Sequence, residues 1–426
     1  MTLAIIITFI LGYTAIAMEH SLKINKAASA LLTGVICWTI YIIGANDHEH
    51  VTEQLMEHLG EIAGILFFLL SAMTIVELID SHDGFQEITD RIKTKSTLKL
   101  LWIIALVTFF LSALLDNLAT TIVVVSFIRK LVPNKEQRLF FTGMTVVAAN
   151  AGGAWSPLGD VTTTMLWIGG QITASNIIQW LILPSLTCLL VPLIIVSFRM
   201  KGEVGNISKD SNIAVKPPFE RKFVFLLGAG VLIFVPIFKT LTGLPPFMAI
   251  LLGLSFMWII IEIFHNQRDS PDKEKGTMTV VYALRKIDTP SILFFLGILL
   301  SIGALQATGQ LTELSTWLAN TVKNDTIIVT SLGLLSAIID NVPLVAASQG
   351  MYSLTQYPPD HFFWEFLAYA AGTGGSALII GSAAGIAAMG MEKISFFWYL
   401  KKITWLALIG YFSGIIVYLL QYTLLS

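Results

Sequence analysis

Two short motifs place a carboxylate where charge is costly. The chain reads LSALLDNL at 111–118 and LSAIIDNV at 335–342, so Asp116-Asn117 and Asp340-Asn341 each sit inside an apolar run. A third carboxylate, Asp160, closes the run NAGGAWSPLGD at 150–160. A charge at the centre of a bilayer costs at least about 2.5 kcal/mol on insertion scales, so such groups mark a site or a pathway by default. Oxygen and amide groups gather around them: Ser112, Thr120 and Thr121 on the first motif, Ser336 on the second. Asn150 and Ser156 belong to the long run, and Thr373 and Ser376 to GTGGS at 372–376. No Lys or Arg falls deep inside an apolar run. The fixed charge is therefore negative, and a cation is the expected substrate. Hard oxygen ligands suit an ion such as Na⁺ at Asp116, Asn117, Asp340 and Asn341, and no His or Cys joins them to suit zinc or copper. A buried Asp also makes a good N-cap for the half-helix that follows it, a role compatible with ion binding.

The elements that position these residues are membrane spans. Of 426 residues 55% are hydrophobic and 13% charged, against roughly 25% charged in soluble domains, and the mean hydropathy is +0.76. Apolar stretches long enough to span a bilayer recur at 2–18, 27–44, 61–79, 176–198, 223–239, 246–264, 289–306 and 396–424. Stretches at 98–131, 139–168, 326–349 and 362–390 are interrupted by the motifs above. Cys37 and Cys188 lie in apolar runs and predict no disulfide. No basic n-region precedes the first stretch and no transit-type segment is present, so a retained first helix in a bacterial plasma (inner) membrane is expected. The net charge of −2 says nothing about a partner, and no nucleic acid partner is expected.

The stretch 98–131 is too long for one span and too short for two. Its flanks are both basic, with Arg91, Lys93, Lys95 and Lys99 before and Arg129, Lys130, Lys135 and Arg138 after. It reads as a re-entrant hairpin with Asp116-Asn117 at the tip, which must be buried in protein or line a wet cavity. With 326–349 as a second hairpin from the opposite side and both termini outside, all 26 Lys and Arg residues except Lys239 and Lys323 fall on the cytoplasmic side, as the positive-inside rule requires. The acidic loop 45–60 then lies outside, where His48, His50 and His58 are expected to be solvated.

The two motifs repeat at an offset of 224 residues. AGGAW at 151–155 matches TGGSA at 373–377, Phe67-Phe68-Leu69 matches Phe294-Phe295-Leu296, and Asp83-Gly84-Phe85 matches Thr308-Gly309-Gln310, all in order along both halves. The expected fold is an all-α polytopic membrane protein of two inverted repeats, each with five crossings, one re-entrant hairpin and a broken helix. The first repeat covers 1–200, a cytoplasmic linker 201–222, and the second repeat 223–426. Gly152-Gly153 and Gly374-Gly375 are expected to let their helices unwind and free carbonyls for an ion, whereas Gly381, Gly385 and Gly390 are expected to serve close packing. Glu77, Asp80 and His82 at the cytoplasmic end of the third span form a candidate proton entry or pH-sensing cluster, with a solvated membrane boundary as the plainer alternative.

The paired S-x-x-x-D-N hairpins, with NAGGAWSPLGD after the first and GTGGS after the second, resemble the NhaD-type sodium/proton antiporters of the ion transporter superfamily, across essentially the whole chain. Carriers of dicarboxylates in that superfamily have Ser-Asn-Thr type tips, and the Asp-Asn tips here depart from them. The resemblance implies Na⁺ or Li⁺ exchanged for H⁺ without a cofactor. It also implies a homodimer within membrane lipid and an elevator-like movement. Asp116 and Asp340 would then hold Na⁺ when ionised and a proton when empty, with Asp160 as a third partner. A Na⁺-coupled symporter of a small anion and a cation channel remain as alternatives. No nucleophile–base pairing or soluble domain points to an enzyme.

Overall fold

A computed structural model describes residues 1–89, 94, 96–198, 200, 202, 218–266 and 279–425. Among them every regular element is a helix, and eight helices are long and apolar enough to cross a membrane. The first group comprises α1 (Thr2–Ala17), α2 (Lys26–Gly44) and α3 (His48–Ser81). The first motif region follows as α4 (Thr97–Leu115), α5 (Asn117–Leu131), α6 (Lys135–Gly153), α7 (Val161–Ile168) and α8 (Ala174–Ser197). The second half supplies α9 (Pro218–Thr242), α10 (Pro246–Asn266), α11 (Val280–Lys286), α12 (Thr289–Ala307) and α13 (Gln310–Thr321). It ends with α14 (Asp325–Leu335), α15 (Asn341–Met351), α16 (Phe362–Gly374), α17 (Ala383–Glu392), α18 (Phe396–Lys402) and α19 (Thr404–Leu425). The protein is thus an all-helical polytopic membrane protein. Rows such as Leu252, Phe256, Ile259 and Ile263 on α10 stand exposed, as lipid-facing side chains do, because hydrocarbon rather than water is their solvent.

Three expectations about the elements change. The segment 45–60 is not a loop: Asp47 caps α3 by accepting from the His50 backbone N–H, and the helix runs 34 residues from His48. His48 and His50 are exposed, but the His58 ring packs beside Trp38 and pairs with Glu61 at 3.6 Å. The last stretch is two helices, divided at Ile403. The linker expected at 201–222 lies, apart from Gly202, outside the described residues as far as 217, and α9 already begins at Pro218. Arg91, Lys93 and Lys95 also lie outside the described residues.

The motif helices break where local chemistry demands it. Asp116 alone separates α4 from α5, with φ 79° and ψ 159°. That left-handed backbone is rare for a residue with a side chain and costs of order 1–3 kcal/mol. Its own carboxylate offsets part of the strain by capping α5, accepting from the Ala119 N–H at 2.8 Å. Asp340 caps α15 likewise, through the Val342 N–H at 3.3 Å. After Gly153 the chain leaves the helix through Pro157, which has no N–H to continue one, and Asp160 caps α7. After Gly374 a single tight turn precedes Ser382, which caps α17.

Each glycine pair stands where its helix ends, α6 at Gly153 and α16 at Gly374, and it also packs closely. Both helices remain regular through Gly152 and Gly374. A Cβ on Gly152 would lie 2.2 Å from the Phe109 carbonyl oxygen of α4. One on Gly374 would lie 1.9 Å from the Gly333 carbonyl oxygen of α14. The glycines let the broken helices lie directly on the backbones of the motif helices. Ser112 Oγ donates to the Ala149 carbonyl at 2.6 Å, and Ser336 Oγ to the Ala371 carbonyl at 3.1 Å, fastening the same two contacts.

Candidate functional site

The tips of the two motifs meet at Asp160, not at each other's aspartates. Asn117 and Asn341 are each the first residue of their helix, so their side chains project from the capped ends of α5 and α15. Asn117 Nδ2 donates to Asp160 Oδ2 at 2.6 Å and to Asn150 Oδ1 at 3.1 Å. Asn341 Nδ2 reaches Asp160 Oδ1 and Oδ2 at 3.3 and 3.2 Å. Thr162 completes the shell, its N–H and hydroxyl both donating to Asp160 Oδ1 at 2.9 and 2.8 Å. Asn150 Nδ2 then donates to Ser376 Oγ and Ser382 Oγ, each at 2.9 Å. All of these side chains are buried, Asp160 to 1% exposure and Asn150 to none. A carboxylate so enclosed persists only because every lone pair finds a donor.

The remaining predicted residues fall into distinct places. Ser112, Ser156 and Ser336 donate to backbone carbonyls, Ser156 to that of Ala113 at 2.6 Å. Thr121 and Thr373 bond back to the carbonyls of Asn117 and Tyr369 in their own helices. Thr120, one turn beyond Asn117, is fully buried and its hydroxyl has no partner among the described residues. Thr162, Ser382 and Tyr399, whose hydroxyl holds the Ser376 carbonyl at 2.8 Å, were not legible as site residues. Only the position of Ser382, just after the second break as Asp160 is after the first, hints at its place.

Asp116 and Asp340 look away from this centre into separate cavities. The cavity at Asp116 measures about 130 Å³, and Glu77, Asp80, Lys286 and Asp288 also line it. Lys286 is bound there by Glu77 at 3.0 Å. Outside the spans, on the short helix α11, the Lys286 ammonium loses some stability to burial, but the hydrogen bond and charge of Glu77 outweigh that and hold its pKa above the ordinary lysine value. Glu77 and Asp80 therefore share a cavity with Asp116, while His82 does not. The His82 ring is buried, bonded to the Leu78 carbonyl, and turned toward Glu220 at 3.6 Å. The cavity at Asp340 is about 80 Å³ and is lined by Tyr13, Glu19, Lys26 and Phe294. Here the expected lack of positive charge fails: Lys26 Nζ lies 3.7 Å from Asp340 Oδ2. Lys26 stands at the start of α2 in sequence, and the long lysine stem carries the charge inward over Phe294, 4.4 Å from the ring centre.

Known proteins of similar sequence carry transporter names. The citrate transporter family profile matches residues 3–364. Sodium/proton antiporter 1 of Arabidopsis thaliana is 49% identical over 424 residues, covering 99% of this chain and 73% of that protein. Sodium/proton antiporter 2 of the same plant is 46% identical, covering 96% and 97%. The Na(+)/H(+) antiporter NhaD of Alkalimonas amylolytica is 28% identical over 439 residues, covering 96% and 89%. Taken with the paired Asp-Asn motifs meeting at Asp160, these matches mean that the chain belongs to the NhaD-type sodium/proton antiporters of the ion transporter superfamily.

Proposed function

We propose that the protein exports Na⁺, and Li⁺ with it, in exchange for protons by alternating access. The observation that carries this is Asp160, a single buried carboxylate on which the amides of both motif tips converge. A carboxylate holds a proton or a cation, not both, and that exclusion is the coupling of an antiporter. The amides donate to the empty, ionised Asp160. Turning the Asn117 and Asn341 amides over presents their carbonyl oxygens instead. With the unpartnered Thr120 hydroxyl one turn away, they build an oxygen shell for a small hard cation.

Asp116 and Asp340 are secondary cation and proton sites on this reading, each binding the ion on its way between Asp160 and its cavity. Both cavities are bounded by the ends of α1, α2, α3 and α12 that the positive-inside rule puts on the cytoplasmic side, so the arrangement is one open inward. Asp116→Asn keeps the cap and, being isosteric, adds no new steric demand at the strained backbone. It is expected to lose Na⁺-dependent proton movement by about tenfold or more in everted vesicles, a 1.4 kcal/mol effect. Wild-type rates in that variant would remove Asp116 from the pathway.

An inverted repeat, and with it alternating access, is supported by contacts in matching positions: those of Ser112 and Ser336, those of Gly152 and Gly374, and the caps at Asp160 and Ser382. Re-entrant hairpins at α4–α5 and α14–α15, elevator motion of these elements with α6–α8 and α16–α19, a homodimer, and a bacterial inner membrane with both termini outside complete the proposal. Citrate transport is the second reading, favoured by the family profile's description. The helix N-termini at the tips would suit an anion, but Asp116 and Asp340 already occupy them. The deciding experiment follows a pH gradient in everted vesicles with Na⁺, Li⁺, K⁺ and citrate. Collapse by Na⁺ and Li⁺ alone is expected. Citrate uptake that requires Na⁺ would overturn the antiport reading.

A further inference from the structure

We infer that Lys26 is a built-in occupant of the Asp340 cation site, which an incoming Na⁺ must displace, so that this lysine sets the Na⁺ concentration at which exchange begins. The inference rests on the antiport reading and adds a residue that no motif contains. Lys26 and Asp340 are 20% and 16% exposed at their side chains and 3.7 Å apart. The ammonium is held on its other side by the face of Phe294, 4.4 Å from the ring centre, where a cation is attracted by the ring quadrupole. The start of α2 is itself anchored, because Asn25 caps the helix and the Lys26 N–H donates to Glu19 Oε1 at 3.1 Å. The lysine is therefore aimed, and the cavity of about 80 Å³ beside it leaves room for an ion and water.

The two motif aspartates are unequal in this respect. In the Asp116 cavity the nearby lysine, Lys286, is taken by Glu77 at 3.0 Å, and no ion pair to Asp116 is found among the described residues. In the Asp340 cavity the lysine faces the motif aspartate itself. An ammonium and Na⁺ carry the same charge, so they compete for one carboxylate. While Lys26 is paired, Asp340 is neutralised without a transported ion. When Na⁺ binds, the flexible stem carries the ammonium back toward Glu19. A site occupied by its own lysine nine-tenths of the time shows an apparent Na⁺ affinity about tenfold weaker than the bare site.

The test uses the full-length protein, purified and reconstituted. Equilibrium ²²Na⁺ binding and Na⁺-driven proton flux are both measured for the wild type, Lys26→Gln, Lys26→Met and Lys26→Arg. Removing the charge with Gln or Met is expected to lower the half-saturating Na⁺ about tenfold in both assays. Lys26→Arg, whose planar fork grips a carboxylate by two hydrogen bonds, is expected to raise it. Unchanged or higher half-saturation in the Gln and Met variants overturns the inference, as does folded, monodisperse protein of either kind that no longer binds Na⁺. Failure of the antiport reading is separate: the wild type would then bind Na⁺ without moving protons, while the binding comparison still stands on its own.

Discussion

Asp160→Asn is expected to abolish Na⁺-dependent proton movement while leaving a folded protein. The helix α7 keeps its start, because Asn caps as well as Asp, and Thr162 still finds an oxygen to donate to. What disappears is the charge. A carboxylate and Na⁺ in contact at about 2.4 Å attract by about 7 kcal/mol at an effective dielectric of about 20. Desolvation cancels a good part of this, and a residual loss of about 3 kcal/mol corresponds to roughly a hundredfold in affinity. The Asn117 and Asn341 amides, now facing another amide, also lose their reason to converge. The proton loses its carboxylate at the centre as well, so both halves of the exchange fail together. The measurement is ²²Na⁺ binding beside gradient collapse in the same reconstituted protein, with detergent monodispersity as the control for folding. Near-wild-type binding would move the primary site to Asp116 or Asp340.

Gly374→Ala is expected to damage the fold itself. The added methyl would sit 1.9 Å from the Gly333 carbonyl oxygen and 2.8 Å from Ser336 Oγ. The first of these is backbone, which no rotamer change can move. Either α14 and α16 separate by more than an ångström or the helices distort. Overpacking of a rigid core costs about 1–3 kcal/mol and more where backbone is the obstacle. Separation would also pull the Ser336 hydroxyl from the Ala371 carbonyl and shift the tip that carries Asn341. Thermal unfolding in detergent should show a clearly lowered transition, accompanied by loss of exchange. An unaltered transition would mean that the close approach of α14 and α16 does not contribute to stability.

These two residues also mark how far reading along the chain can reach. The membrane class, the positions of the breaks, the acidic and amide residues and the internal similarity follow from the amino-acid order. Each is a local property: an apolar run is long or interrupted, a Pro or an Asp-Asn pair is present, a pattern recurs. The role of the glycine pairs was not local. Whether a Gly-Gly frees carbonyls or admits a neighbouring backbone depends on what lies across from it, and here Phe109 and Gly333 lie across. The ranking of the carboxylates was not local either. Asp116 and Asp340 stand in the recurring motifs, yet capping turns them away, and the single Asp160, without a carboxylate counterpart at Ser382, receives both tips. Lys26 stands 314 positions from Asp340 at the edge of a span, where sequence marks it as an interface residue. Only the packing of α2 against α12 carries its ammonium to that carboxylate. Hydrophobicity and motif spacing determined that this chain folds in a membrane around buried acids; the direction in which each side chain points, set by helix contacts distant in sequence, decided which acid is the centre and what shares its site.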